Sequence, residues 1–206
     1  MLELLAATSN KHKIVEFQQM FDHAGLDVKV VSPETLPNFP PVQENGSTFA
    51  ENSALKAVQM SRFADMAAFA DDSGLVVDAL GGAPGIFSSR YAGENASDEK
   101  RIQKLLLEMK GKTDRTARFV CVISLAYRGK LVASFQGTVE GCISDCPHGN
   151  DGFGYDPVFI PDGYDKTFAE LGSEIKNELS HRAKAFAQFS EFTRQELSKF
   201  DELVFV

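Results

Sequence analysis

The sequence predicts a protein of the α/β class, in which a sheet is flanked by helices. The chain begins with a short apolar run and a polar segment, after which apolar residues recur at helical spacing, so a strand, a loop and a helix follow in order. Two β-rich runs, 115–128 and 130–143, flank Gly129 and predict a long antiparallel hairpin. From Ser173 onward the composition is helical. At 206 residues, the chain suits one domain over residues 1–206, with room for two lobes.

The N-terminal third is predicted to alternate strands and helices. The first long loop contains four of the eight prolines, and the helix after it has recurring apolar residues with few helix breakers. In chain order we expect a strand over 2–7, a helix carrying Ile14, Phe17 and Phe21, a strand over 28–31, a loop over 32–45, and a helix over about 48–63 capped by Ser47 or Thr48.

Polar and glycine-rich interruptions define the remaining elements. The segment Asp71-Asp72-Ser73-Gly74 separates two apolar runs and predicts a polar turn between them. The other expected elements are an irregular loop over 81–93, a helix over about 97–109, a glycine-rich loop over 148–157, and a final helix capped by Ser180 that carries Phe186, Phe189 and Phe192.

The overall charge and apolar pattern argue against two classes of partner. The formal net charge is -8, which opposes attraction to nucleic acid or to an anionic membrane surface. The longest apolar stretch, about 119–127, is far shorter than the roughly 20 residues that a membrane span needs. The first residues do not resemble a secretory signal, so we expect a cytoplasmic protein.

The three cysteines predict reduced thiols rather than a disulfide framework, because their number is odd and Cys121 is distant from the other two. Cys142, Cys146 and His148 could in principle hold a metal ion. Their spacing lacks a fourth ligand and a paired second half, which disfavours that interpretation.

The first candidate site lies where the first strand gives way to a helix. Free backbone N–H groups and the positive end of a helix favour a phosphate there, and hydroxyl, amide and ammonium side chains add further donors. The alternative is simple helix capping by Ser9 or Asn10. The residues concerned are Thr8, Ser9, Asn10, Lys11, His12 and Lys13.

Acidic residues form a second candidate site. Asp71 and Asp72 lie between apolar runs, where an unpaired buried charge is costly, so a cation should compensate them. Carboxylate oxygens suit magnesium, which makes Glu44 and Asp72 a plausible pair of metal ligands. The alternative for the two aspartates is a structural turn. Asn52 and Lys56 lie on one helical face nearby, although such a lysine is often simply solvated.

Two further segments have the composition of a ligand site. Gly152-Phe153-Gly154-Tyr155-Asp156 combines glycines, which allow close approach, with aromatic rings that can stack on a base; a local hydrophobic plug is the alternative. Ser180-His181-Arg182 with Lys184 places cations at a helix N-terminus, where they oppose the helix dipole. They suggest an anionic or keto-bearing partner, or else a capped surface helix.

Five stretches in order resemble the inosine triphosphate pyrophosphatase family. They are spread over most of the chain, and their combination is far more specific than any one of them. Common nucleotide and hydrolase patterns, such as G-x-x-x-x-G-K-[ST] and G-x-S-x-G, do not occur. The matching stretches are TSNKHK, FAENSALKA, ADDSGLVVDALGGAPGIFSSRYAG, GFGYDPVF and SHRAKAFAQF.

The resemblance implies a homodimeric, cytosolic α/β protein with a mixed central sheet, flanking helices and two lobes around a central nucleotide-binding cleft. It implies a magnesium-dependent enzyme that cleaves ITP, dITP or XTP to the monophosphate and pyrophosphate. Asp72 is then the general base, and Glu44 and Asp72 hold Mg²⁺. The substrate-binding residues implied are Thr8 to Lys13 and Lys56 at the triphosphate, with Asn52, Ser73, Phe153, Gly154, Tyr155, Asp156, Lys176, His181 and Arg182 completing the site.

Two other functions remain open from the sequence. A nucleotide-binding module without turnover could use the same basic and aromatic residues, but acids facing a triphosphate make sense chiefly with a metal. A pyrophosphatase for another triphosphate, standard or pyrimidine, is the second alternative. The Ser89-Arg90-Tyr91 segment also matches the family pattern, without an assigned role.

Overall fold

The computed structural model describes residues 1–8, 10–36 and 44–204, excluding the side chains of position 12 and of 197–204. Within these ranges, strands and helices alternate in the first third of the chain. The strands are β1 (Leu2–Ala6), β2 (Val28–Val31), β3 (Ala67–Val77), β4 (Thr116–Tyr127), β5 (Lys130–Ile143) and β6 (Phe159–Pro161). The helices are α1 (Lys11–His23), α2 (Phe49–Ala64), α3 (Asp98–Glu108), α4 (Phe168–Leu179) and α5 (His181–Val204).

The strands form one mixed sheet in the order β2-β1-β3-β4-β5-β6. Strand β1 is parallel to both β2 and β3, whereas β5 and β6 are antiparallel. The turn after β4 has positive φ at both Arg128 (47°) and Gly129 (77°), the backbone of a tight hairpin turn. The predicted α/β class and the hairpin are therefore confirmed.

The chain divides into two compact units. The first unit comprises Met1–Asp72, Val122–Gln136 and Ala185–Val206. Phenylalanines dominate its core: Phe21 contacts Phe69, Phe186 and Phe189 with ring centroids 4.9–6.2 Å apart, mostly edge to face. The predicted apolar faces of the first and last helices thus meet in this core.

The second unit comprises Ser73–Cys121 and Gly137–Lys184. Its core joins apolar side chains of β3, α3, β4 and β5 to those around β6 and the start of α4. Phe159 stacks on Phe168 at 5.5 Å and contacts Phe119 at 4.6 Å. A second phenylalanine cluster therefore fixes this unit.

Three predicted elements differ from the structure. The predicted turn at 71–74 is wrong, because β3 continues through all four residues. The helical structure expected from Ser173 is present, but another helical segment precedes it from Phe168, and the two are separated by a non-helical break at Gly172 (φ 81°, ψ 174°). The loop expected over 81–93 contains a 3-10 helix, Gly85–Arg90. The proline-rich loop over 32–45 falls largely outside the described residues.

In the part of the chain that the structure describes, no helix combines the length and apolar composition that a bilayer crossing requires.

Candidate functional site

The carboxyl ends of β1 and β3 bring the N-terminal polar segment and the two aspartates together. These parallel strands are neighbours, and the Ala7 N–H donates to the Phe69 carbonyl at 2.7 Å. Because parallel strands end at the same edge of a sheet, α1 begins close to the acids that follow Phe69. Lys13 Nζ accordingly donates to both carboxylate oxygens of Asp71, at 2.9 and 2.8 Å.

Lys56 lies among three acidic residues. Its Nζ donates to the Asp71 carbonyl at 2.7 Å and to Glu44 Oε1 at 2.9 Å, and it lies 3.4 Å from Asp72 Oδ1. The residue is only 9% exposed. Glu44 and Asp72 therefore both contact one buried ammonium, as expected for residues that act together. We call Lys13, Glu44, Lys56, Asp71 and Asp72 the acidic cluster.

Burial and charge shift the pKa values of two groups in the acidic cluster. Burial alone would lower the pKa of Lys56, but the charges of Asp72, Asp71 and Glu44 outweigh it and raise that pKa. For Asp72, burial raises the pKa and the Glu44 charge adds to the shift, while Lys56 opposes it. Lys56 is thus firmly protonated, and Asp72 is a stronger base than an ordinary aspartate.

Asn52 links this cluster to the chain that carries Glu44. Its buried Oδ1 accepts a hydrogen bond from the Gly46 N–H at 2.8 Å. A Cβ on Gly46 would lie 2.7 Å from that oxygen, so only glycine allows this approach. The sequence grouped Asn52 with the substrate; the structure gives it this positioning contact.

Two buried polar atoms of the site have no hydrogen-bond partner among the described residues: Asn52 Nδ2 and Asp72 Oδ2. The Asn52 side chain lies beside this carboxylate and opposes the rise in the pKa of Asp72. An unsatisfied carboxylate oxygen beside Glu44 fits a hard divalent cation. No group of three possible ligands occurs among the described residues, but Mg²⁺ commonly uses one or two carboxylates with water and phosphate.

The N-terminal polar segment caps α1. Thr8 Oγ1 accepts from the Asn10 N–H at 3.2 Å, and Asn10 Oδ1 accepts from the Lys13 N–H at 3.3 Å. Capping by Asn10 is therefore confirmed, and phosphate binding by this segment stays a prediction. Lys11 is exposed and pairs with Glu34 at 3.3 Å. Ser9 and the side chain of His12 lie outside the described residues.

In the second unit, Asp156 organises the predicted base-binding residues. We call residues 152–156 the nucleoside loop. Asp156 is buried; its Oδ2 accepts from the Phe153 N–H at 2.8 Å and pairs with Lys176 Nζ. The same ammonium lies 4.1 Å from the Phe153 ring centroid, and that ring is 58% exposed. The loop therefore presents an aromatic face beside a fixed cation, which disfavours the hydrophobic-plug interpretation.

The other predicted residues of this unit are largely buried. Ser180 Oγ accepts from the Ala183 N–H at 3.1 Å, which confirms it as the cap of α5. His181 and Arg182 are 7% and 3% exposed, and the imidazole stacks on Phe119 at 4.9 Å. A surface helix with chance basic residues is therefore excluded. Ser73 is half-buried within β3.

Some residues around these clusters were not predicted. The carboxylate of Asp98 and the carbonyl of Ser88 accept hydrogen bonds from the nucleoside loop. Asp98 looks in sequence like an ordinary first-turn acid of a helix, so nothing local marks it. Cys146 Sγ lies 3.3 Å from His148 Nε2, but with Cys142 these residues form no three-ligand group in the described chain.

Comparisons with known proteins find similar sequences over nearly the whole chain. Residues 4–192 match the Ham1 family. The dITP/XTP pyrophosphatase of Geobacillus kaustophilus is 49% identical over 193 residues, covering 93% of this chain and 94% of that protein. The dITP/XTP pyrophosphatase of Bacillus subtilis is 43% identical over 192 residues, covering 92% and 96%.

Solved structures show the same fold. The Ham1 protein of Staphylococcus aureus superposes with a TM-score of 0.87 at 44% identity, covering 94% of this chain and 99% of that one. The HAM1 protein of Coxiella burnetii superposes with a TM-score of 0.89 at 40% identity, covering 95% of this chain and 100% of that one. The resemblance drawn from the sequence motifs is confirmed. Because the match extends over nearly the whole chain in sequence and in structure, the chain belongs to the Ham1 family.

Proposed function

We propose that this protein hydrolyses the purine nucleoside triphosphates ITP, dITP and XTP to the nucleoside monophosphate and pyrophosphate. The convergence of Glu44, Asp71 and Asp72 on the buried Lys56 carries the proposal. The relatives named dITP/XTP pyrophosphatases, similar over nearly their full length, support the same reaction. Residues 1–206 then act as a single enzyme domain made of two lobes.

The triphosphate is assigned to the first unit. It is assigned to Thr8 to Lys13, because backbone N–H groups at the start of α1 favour phosphate oxygens, and Lys13 and Lys56 add positive charge. Glu44 and Asp72 are the residues that would hold Mg²⁺. When bound, this ion neutralises charge on the phosphates and so assists the attack of water.

Asp72 is assigned as the general base. Water attacks the α-phosphorus, the bond to the β-phosphate oxygen breaks, and pyrophosphate leaves. The raised pKa of Asp72 strengthens its carboxylate as an acceptor of the water proton. Lys56 holds that carboxylate in place from one side, and Asn52 lies beside it.

The nucleoside is assigned to the second unit. The exposed Phe153 ring can stack on the base, and Gly154, Tyr155, Asp156 and Ser73 shape its surroundings. Hypoxanthine and xanthine have a keto oxygen where adenine has an amino group. An N–H of Lys176, His181 or Arg182 would donate to the keto oxygen, and the same donor left unpaired opposite the amino group would disfavour adenine by about 1–3 kcal/mol.

A panel of triphosphates tests the proposal. With Mg²⁺ present, ITP, dITP and XTP should yield pyrophosphate and monophosphate faster than ATP, GTP or a pyrimidine triphosphate. Release of inorganic phosphate, or preference for a standard triphosphate, would indicate a different hydrolase. Binding without any product would indicate a nucleotide-binding module.

The assignment of Asp72 has its own test. Asp72→Asn should keep inosine triphosphate binding within a few-fold while turnover falls by about 10²–10⁴. Asp22→Asn is the matched control, because Asp22 is exposed on α1 in the same unit. Full activity of Asp72→Asn would refute the assignment. Chelation of divalent cations should abolish turnover of the unmodified protein, and Mg²⁺ should restore it.

We propose a homodimer that acts on a small-molecule substrate without nucleic acid or membrane partners. The exposed apolar side chains Leu55, Phe63, Leu131 and Val132 of the first unit support self-association. Light scattering should give twice the chain mass. A cytoplasmic location is supported by the absence of a disulfide among the described cysteines and is tested by cell fractionation.

A further inference from the structure

The nucleoside loop depends on a carboxylate from outside its own segment. Gly154 has φ 64°, a left-handed conformation, and its N–H donates to Asp98 Oδ2 at 2.6 Å. Asp98 is the first residue of α3, 56 positions away in the chain. A hydrogen bond to an ionised acceptor is stronger than one between neutral groups, so this contact fixes the peptide between Phe153 and Gly154.

Asp98 is itself fixed. Its second oxygen, Oδ1, pairs with Arg101 one turn further along α3. The other arm of that guanidinium donates to the Ser89 carbonyl at 2.6 Å. Both carboxylate oxygens are therefore engaged, and the acceptor that meets Gly154 cannot rotate freely.

A second contact holds the neighbouring residue of the loop. The buried Tyr155 hydroxyl donates to the Ser88 carbonyl at 2.9 Å. Ser88 Oγ in turn accepts from the Leu75 N–H of β3 at 2.9 Å. The 3-10 helix that carries Ser88 and Ser89 thus supports the loop through both Tyr155 and Arg101.

We propose that Asp98 is a positioning residue for the nucleoside: it fixes the backbone on which Phe153 presents its ring, without touching the substrate. This inference rests on the proposed function, because the proposed function identifies the nucleoside as the ligand of the loop. Without the Asp98 carboxylate, the Gly154 peptide is no longer fixed. The Phe153 ring then loses conformational freedom when substrate binds, and this cost weakens binding. Nucleoside recognition weakens, while triphosphate binding by the acidic cluster is unaffected.

The test compares Asp98→Ala with Glu99→Ala. Both remove an acid from the first turn of α3, but Glu99 is exposed and bonds to Ser97 rather than to the loop. Asp98→Ala should raise the KM for ITP about tenfold and weaken inosine monophosphate binding about tenfold, with a smaller change in kcat. Asp98→Asn keeps one acceptor oxygen, so its KM for ITP should lie between those of the unmodified protein and Asp98→Ala. Glu99→Ala should match the unmodified protein.

Inorganic triphosphate separates positioning from general damage. Its inhibition constant should be the same in Asp98→Ala and the unmodified protein, because it has no base. A tenfold rise in that constant, an equal effect of Glu99→Ala, or an unchanged KM in Asp98→Ala would each overturn the inference. The two failures are distinguishable: an unmodified protein that does not cleave ITP, dITP or XTP refutes the proposed function, whereas equal inosine monophosphate binding by Asp98→Ala and the unmodified protein refutes the inference.

Discussion

The buried ammonium of Lys56 allows a quantitative test of the acidic cluster. Lys56→Met keeps an unbranched apolar side chain of similar length while it removes the charge. The Asp71 carbonyl, Glu44 and Asp72 would then lose a donor at 2.7, 2.9 and 3.4 Å respectively. We expect a less stable protein, because buried carboxylates would remain without their cation.

The size of the effect follows from burial. Removing one partner of a buried pair costs about 3–5 kcal/mol, whereas an exposed pair contributes about 0–1 kcal/mol. The side chains of Lys56 and Asp72 are 11% and 13% exposed, but that of Glu44 is 33% exposed. Solvent therefore screens part of the network, and we expect the lower value, about 3 kcal/mol. For a chain of this size, that corresponds to a fall in Tm of roughly 6–12 °C.

The chain provides a matched control. Lys29 pairs with Glu3 at 2.7 Å, slightly closer than Lys56 to Glu44, but both partners are about half exposed. Lys29→Met should therefore change the free energy of unfolding by less than about 1 kcal/mol. Both variants are compared by denaturant unfolding in a buffer with chelator, so that no divalent cation compensates the carboxylates. Equal destabilisation of the two variants would refute the argument that burial makes the Lys56 network different.

Two further predictions concern contacts that support the two units. Gly46→Ala should lower the free energy of unfolding by about 1–3 kcal/mol, because its Cβ would meet Asn52 Oδ1 at 2.7 Å; denaturant unfolding measures this. The Thr167 backbone N–H donates to Glu170 and lowers the pKa of that carboxyl. A lowered folded-state pKa gives stability that is present above the unfolded-state pKa of 4.5 and lost as the pH falls through the folded-state pKa. The Tm of Glu170→Gln should thus lie below that of the unmodified protein at pH 7, and the difference should vanish once the pH has fallen below the lowered folded-state pKa of Glu170.

Local sequence patterns predicted the backbone correctly where neighbouring residues determine its conformation. The hairpin was predicted because β-rich runs flank Gly129, and a two-residue turn there needs positive φ values. Ser180 was predicted as a cap because a serine before a helical pattern can accept a free N–H, as it does from Ala183. In these cases, the deciding partner lies within a few residues.

The start of α4 shows what local composition leaves out. Helical structure was expected from Ser173, and it is present there, after a break at Gly172 with φ 81° and ψ 174°. A further helical segment precedes the break and begins at Phe168, where Glu170 accepts from the Thr167 N–H at 2.9 Å. The buried Phe168 ring packs against Phe159, a tertiary contact that local composition does not predict.

The predicted turn at 71–74 failed for a different reason, and that reason bears on function. Local preference assigns adjacent aspartates to turns, since two charges within a strand are expensive without partners. Lys13 and Lys56 supply those partners from two helices, so the strand continues through the acids. The sequence showed that cations must compensate these carboxylates, but not that the compensation would preserve a strand. Distant side chains therefore offset the cost of breaking a local preference. This pattern is expected where chemistry rather than folding selects the residues.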